Sequence, residues 1–193
     1  MFLRRSGVDH TRVERRFPGV LALIACLAVF AVGSTSAGAA GRSPASPIAA
    51  ANTLESQVLV ELNAIRAAHG LVPLRLAPSL GAAADAHSQA MGHYGFFTHE
   101  SRDGSGFQKR VERFYGSKGY GNWSVGENLL WAAPEPSAAD ALRLWMASPS
   151  HRQNILTARW REIGLSVVTV AQAPGVYGGR DVTIMTSEFG ARS

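Results

Sequence analysis

Apolar residues recur at helical spacing in four stretches of this chain, and β-branched runs become dense only near its end. Leu54, Val58, Leu62 and Ile65 step every three or four residues up to Gly70, preceded by Asn52 and Glu55 at capping-box spacing. This predicts a first helix beginning near Asn52 and stopped by Gly70. After a loop marked by Pro73 and Pro78, Leu80, Ala84, His87 and Met91 share one face of a second helix that ends near Gly92 or Gly95. Gly104 and Gly106 open a shorter helix, with Phe107, Val111 and Phe114 on one side and Lys109, Arg110 and Arg113 on the other. Ser137 and Asp140 have N-cap spacing, and Ala138, Leu142 and Trp145 predict a fourth helix that stops before Pro149.

Strand signals come late. Leu165 to Val170 and Val182 to Thr186 are β-branched runs separated by a Pro/Gly loop at Pro174 to Gly179, the pattern of an antiparallel pair, and a further strand is expected through Val125 to Trp131. Helices first and strands last predict an α+β domain whose helices cover a small antiparallel sheet.

The first fifty residues do not fit this pattern. Arg4, Arg5, Arg12, Arg15 and Arg16 precede an uncharged apolar run from Val20 to Val32, and Ala37-Gly38-Ala39 then offers small residues for cleavage. That order describes a secretory signal peptide over 1–39, with an apolar run too short to span a bilayer. Leu23-Ile24-Ala25-Cys26 has the outline of a lipoprotein cleavage site, but apolar sequence continues to Val32, so release into the extracellular space is expected in preference to anchoring through Cys26. Residues 40–51, built of Ala, Gly, Ser and Pro, read as a flexible linker, and the domain is expected over 52–193.

Removing the leader changes the electrostatic picture. The whole chain carries a net charge of +5, but five of its 19 basic residues and two of its 14 acidic residues precede Ala40, which leaves +2. So small an excess does not predict a nucleic-acid partner, whose recognition calls for a clustered basic face. Cys26 is the only cysteine, so the exported domain folds without disulfides, as roughly 150 residues can. A monomer is expected.

Four segments carry candidate chemistry: Phe96-Phe97-Thr98-His99, Gly126-Glu127-Asn128-Leu129, Trp145-Met146-Ala147-Ser148, and His151 to Leu156 running on to Ile163-Gly164. With Asn63 and Arg66 upstream and Asp103-Gly104 after the histidine, this ordered set resembles the CAP superfamily of cysteine-rich secretory, antigen 5 and pathogenesis-related proteins, in its cysteine-free bacterial branch. The likeness covers about residues 55 to 190. It implies a three-layer α-β-α sandwich with a cleft of two histidines and two glutamates, often able to hold a divalent metal. By position, His99, Glu127 and His151 are three of these, and Ser148 stands where the second glutamate would be, without its charge.

Two imidazoles and a carboxylate are a workable set for zinc with an open position for water, so a divalent metal on His99, Glu127 and His151 is one expectation. A His/Glu hydrogen-bond network holding loops in place is the other. Asn128, Ser148, Arg152 and Asn154 are expected to support the cleft, Arg152 and Asn154 by tying the His151 segment to nearby backbone. His87 is expected in the core, His69 at a helix C-terminus, and Trp145 as a core anchor. Lys109, Arg110, Arg113 and Lys118 read as a solvated face.

His99-Glu100 begins like a zinc-protease motif, but the second histidine it requires is Asp103. There is no Gly-x-Ser-x-Gly elbow, and the mature chain has no cysteine nucleophile. The functional expectation is therefore a non-catalytic module binding a lipid, a cell-envelope polymer or a protein, with Phe96, Phe97, Tyr120, Trp123 and Trp131 as candidate wall residues. A metal-dependent hydrolase using His99, His151 and Glu127 is the alternative.

Overall fold

A computed structural model of the chain describes residues 47–193, with side chains from Leu54 onward. The expected leader, Cys26 and residues 40–46 of the expected linker lie outside the described residues. The elements follow in the order α1 (Pro47–Ala68), β1 (Arg75–Leu76), α2 (Pro78–Tyr94), α3 (Phe107–Glu112), β2 (Trp123–Ala132), α4 (Ala138–Ala147), α5 (Pro149–Ile155), β3 (Glu162–Ala173), a 3-10 turn (Gly175–Tyr177) and β4 (Arg180–Arg192).

The strands form one sheet in the order β1-β3-β4-β2. β4 pairs antiparallel with β2 and β3, whereas β1 lies parallel to β3 through Arg75↔Glu162 and Leu76↔Ile163. The sheet is therefore mixed, not purely antiparallel as expected. Two residues are too few for β1 to show a period-2 pattern, which is why the Pro-marked loop concealed it.

Strand alternation sorts the core into two layers. Ile163, Leu165 and Val167 of β3, Met185 and Phe189 of β4 and Leu130 of β2 face α1, α4 and α5, where Leu54, Val58, Leu62, Leu142, Trp145 and Ile155 meet them. The opposite face carries Val182 and Ile184 of β4, Leu129 of β2 and Val125, packed by Leu80, Ala83 and Met91 of α2 and Val111 of α3. Fully burying a leucine-sized side chain contributes roughly 1.5–3 kcal/mol, so either layer outweighs any single surface contact. The result is the α-β-α sandwich implied by the resemblance.

Close approach of α2 to the sheet depends on Gly164, where an added Cβ would collide with the backbone of Leu80 and Gly81. Helix α2 itself ends at Gly95, whose φ of 71° lets its N–H return to the Met91 carbonyl at 2.9 Å. Ser137 caps α4 as expected, accepting from the Asp140 N–H at 3.1 Å.

Two local expectations are corrected. Helix α1 starts at Pro47, so residues 47–51 are helical, consistent with proline's fixed φ at a helix start and the alanines that follow it. Glu55 is thus inside the helix, and it accepts the Val167 N–H at 2.9 Å instead of closing a capping box. Phe114 is 42% exposed while Tyr115 is fully buried. Helix α3 stops at Glu112, and helical periodicity carried past that end picks the wrong aromatic.

Candidate functional site

Odd-numbered residues of β2 face α2 and α3, which puts the side chain of Glu127 inside the molecule, fully buried. Its partner across the sheet is Glu188 of β4, also fully buried. Like charges directly opposite on neighbouring strands destabilise a sheet, so this pair requires a counter-charge. Arg110 of α3 supplies it: Nη2 donates to Glu127 Oε2 and lies 3.4 Å from Glu188 Oε1. The residue read as part of a solvated face is in fact 7% exposed and the centre of the cluster.

His99, in the loop between α2 and α3, completes the group. Its Nδ1 lies 2.7 Å from Glu127 Oε1, and a proton on Nδ1 donated to that carboxylate leaves Nε2 as an acceptor on a side chain 44% exposed. Arg110 Nη1 donates to the His99 carbonyl and to Ser101 Oγ, each at 3.2 Å, so one guanidinium holds both the loop and the carboxylates. Beneath the loop, His87 Nε2 donates to the Thr98 carbonyl at 2.9 Å, and burial pushes its pKa down to about 4. His87 is a buried core histidine, as expected.

The two glutamates titrate in opposite directions. Burial alone would raise Glu127, but the His99 hydrogen bond and the Arg110 charge hold it below the usual carboxylate range. Glu188 is pushed well up, first by burial and then by the charge of Glu127, and its Oε2 has no hydrogen-bond partner. The surroundings thus favour the charged form of Glu127 and the neutral form of Glu188 around a single guanidinium, with His99 adjoining.

The other predicted residues lie toward the opposite face of β2. Asn128 Nδ2 donates to the His151 carbonyl at 3.1 Å, and Asn154 Nδ2 donates to the Glu127 carbonyl and to Asn128 Oδ1, both at 2.9 Å. Trp160 Nε1 donates to the Asn154 carbonyl at 2.9 Å, and Trp145 Nε1 to the Leu129 carbonyl at 3.1 Å. These contacts cap the outer edge of β2, an edge strand that would otherwise present unpaired carbonyls. Ser148 joins α4 to α5, its Oγ 3.3 Å from that of Ser150. Arg152 is exposed, and among the described residues its side chain bonds no backbone, contrary to the expected tie.

The structure thus brings His99 and Glu127 together and connects His151 to their strand through its main chain. Among the described residues, no group of three His, Cys, Asp or Glu side chains is arranged to hold a metal ion. Both oxygens of Glu127 are engaged, one by a guanidinium whose charge would repel a dication. In this arrangement the residues do not fit a metal centre.

Sequence reasoning missed Arg110 and Glu188. Glu188 left a faint signal, an acid within the run Thr186-Ser187-Glu188-Phe189, but nothing in a six-residue helix with three basic residues nearby marks which one turns inward.

Comparison with known proteins agrees with this fold. The family model described as the cysteine-rich secretory protein family, CAP, matches residues 59–180, and the chain belongs to that family. It is 31% identical over 121 residues to the uncharacterized protein YkwD of Bacillus subtilis strain 168, a match covering 62% of this chain and 44% of that protein. The chain thus spans under half the length of this curated relative. Among solved structures it is similar to an extracellular protein containing an SCP domain from Bacillus anthracis, with a TM-score of 0.58 and 26% identity, covering 77% of this chain and 45% of that one. An outer surface protein from Borrelia burgdorferi shares the fold, with a TM-score of 0.60 at 18% identity over 72% of this chain and 92% of its own.

Proposed function

We propose that this CAP domain is exported and acts as a non-catalytic binding module for a lipid, a cell-surface polymer or a protein. The carrying observation is the state of Glu127: its side chain is fully buried, and its two oxygens are bonded to His99 and Arg110. A general base or metal ligand must reach a substrate, a water or an ion, and this carboxylate is turned to the interior. The cluster's role is then to fix the His99 loop against the sheet. Export is supported by the basic, apolar and small-residue order of residues 1–39 and by the extracellular description of the similar Bacillus anthracis protein. Among the described residues no helix is long and apolar enough to cross a membrane.

The test is a panel of ester, peptide, phosphodiester and glycoside substrates, assayed with and without added zinc. No turnover above background is expected. Turnover that disappears in Glu127→Gln while the melting temperature is kept would establish the metal-dependent hydrolase instead.

A further inference from the structure

Two grooves flank α5 and share Gln153. One, of about 360 Å³, lies against the end of α4, with Met146 and Leu156 as apolar walls and Arg152 among its lining residues. The other, of about 380 Å³, lies between the start of α3, the start of β2 and the turn into β3, lined by Gln108, Trp123, Ser124 and Arg159 among others. Both fall in the size range of ligand sites. Gln153 lines both, so the two grooves meet at one residue of α5, and together they are the track that an extended chain would follow.

The lining has a consistent chemistry. Among the described residues no acidic side chain lines either groove, and from Ser148 to Arg161 the chain carries Arg152, Arg159 and Arg161 with no Asp or Glu. Arg152 and Arg159 are exposed and, among the described residues, bond no carboxylate; Arg159 lies over the Trp160 ring at 5.5 Å. The side-chain amides of Gln108 and Gln153 and the hydroxyl of Ser124 belong to the same track, able both to donate and to accept. The outward carbonyls of Glu127 and Leu129 are capped by Asn154 and Trp145, and Val125, of the same outward parity, is among the residues lining the second groove.

We propose that this track binds an acidic polysaccharide. Arginines take its carboxylates in planar, bidentate pairs, amides and the serine take its hydroxyls, and the half-buried Trp123 gives a sugar ring an apolar edge. A neutral polymer would leave Arg152 and Arg159 unused, and a peptide strand would find the β2 edge blocked beyond Val125. The inference deepens the binding-module reading and rests on it.

The test uses the full chain with polygalacturonate and its fully methyl-esterified form, the same backbone with its charges masked. Binding is followed by calorimetry, and reducing ends are followed over time. Arg152→Gln/Arg159→Gln removes the groove cations, while Lys109→Gln/Arg113→Gln removes two exposed cations of the α3 region that line neither groove. We expect polygalacturonate to bind in a salt-sensitive way, the ester not to bind, and the groove variant to lose at least about tenfold in affinity at unchanged melting temperature while the α3 variant binds like the parent. No binding of polygalacturonate, equal binding of the ester, or equal weakening by both variants overturns the proposal. A rise in reducing ends with groove-dependent binding would support the track and contradict only the non-catalytic reading.

Discussion

Arg110 and Glu127 meet side chain to side chain in the interior, one from a short helix and the other from an edge strand, and the same guanidinium bonds the His99 carbonyl. Its position is explained by the register that sets Glu127 opposite Glu188. Two acids facing each other in a buried layer need a cation, and α3, packed on that face of the sheet, delivers one.

Removing that cation should therefore be costly. Arg110→Met is predicted to lower stability by about 3–5 kcal/mol, because it strands a buried carboxylate. The triple change Arg110→Met/Glu127→Gln/Glu188→Gln should recover most of the loss. Urea midpoints of the two variants, at equal m-values, check this.

Glu188→Gln is predicted to be neutral or stabilising at pH 7 to 8. The folded protein raises the Glu188 pKa, so the unfolded chain gives up this proton first as pH rises above the ordinary carboxylate value, and wild-type stability falls until the folded group also ionises. A neutral amide removes that slope. Melting temperatures of both proteins between pH 5 and 9 measure it.

His87 has the opposite dependence. Its pKa of about 4 in the fold, against about 6.5 unfolded, means that the unfolded chain binds the proton first on acidification. Stability is fully present above pH 6.5 and is lost as pH falls toward 4, by about 3 kcal/mol for this group. His87→Gln, which keeps a donor for the Thr98 carbonyl, should flatten that limb in a pH series of thermal melts.

Gly164→Ala should cost about 3 kcal/mol, as overpacking between backbone segments that cannot yield. Gly81→Ala, where an added Cβ meets nothing, should leave stability unchanged or improved. Chemical denaturation of the two variants side by side distinguishes the packing contact from glycine content alone.

Much of the architecture was legible in the sequence because its signals are periodic and local. Helices α2 and α4, the β3–β4 pair, and the cap at Ser137 follow from spacing and turn chemistry. β1 was hidden by its length, and the true start of α1 by alanines that suit both a linker and a helix. At the site, His99 lies beside Glu127, Asn128 bonds the His151 carbonyl, and Asn154 bonds the Glu127 carbonyl. The solvated neighbours Lys109 and Arg113 predict a solvated Arg110, and only the three-dimensional pairing of two distant glutamates shows why it alone is buried.

The central claim of the proposed function is that Glu127 belongs to a buried charge cluster, with no part in a metal or catalytic centre. Zinc calorimetry on the full chain, beside His99→Ala/His151→Ala, tests it most directly. The account predicts no stoichiometric binding by either protein and a lower melting temperature for the variant, whereas one zinc bound per chain by the parent and lost in the variant would contradict it.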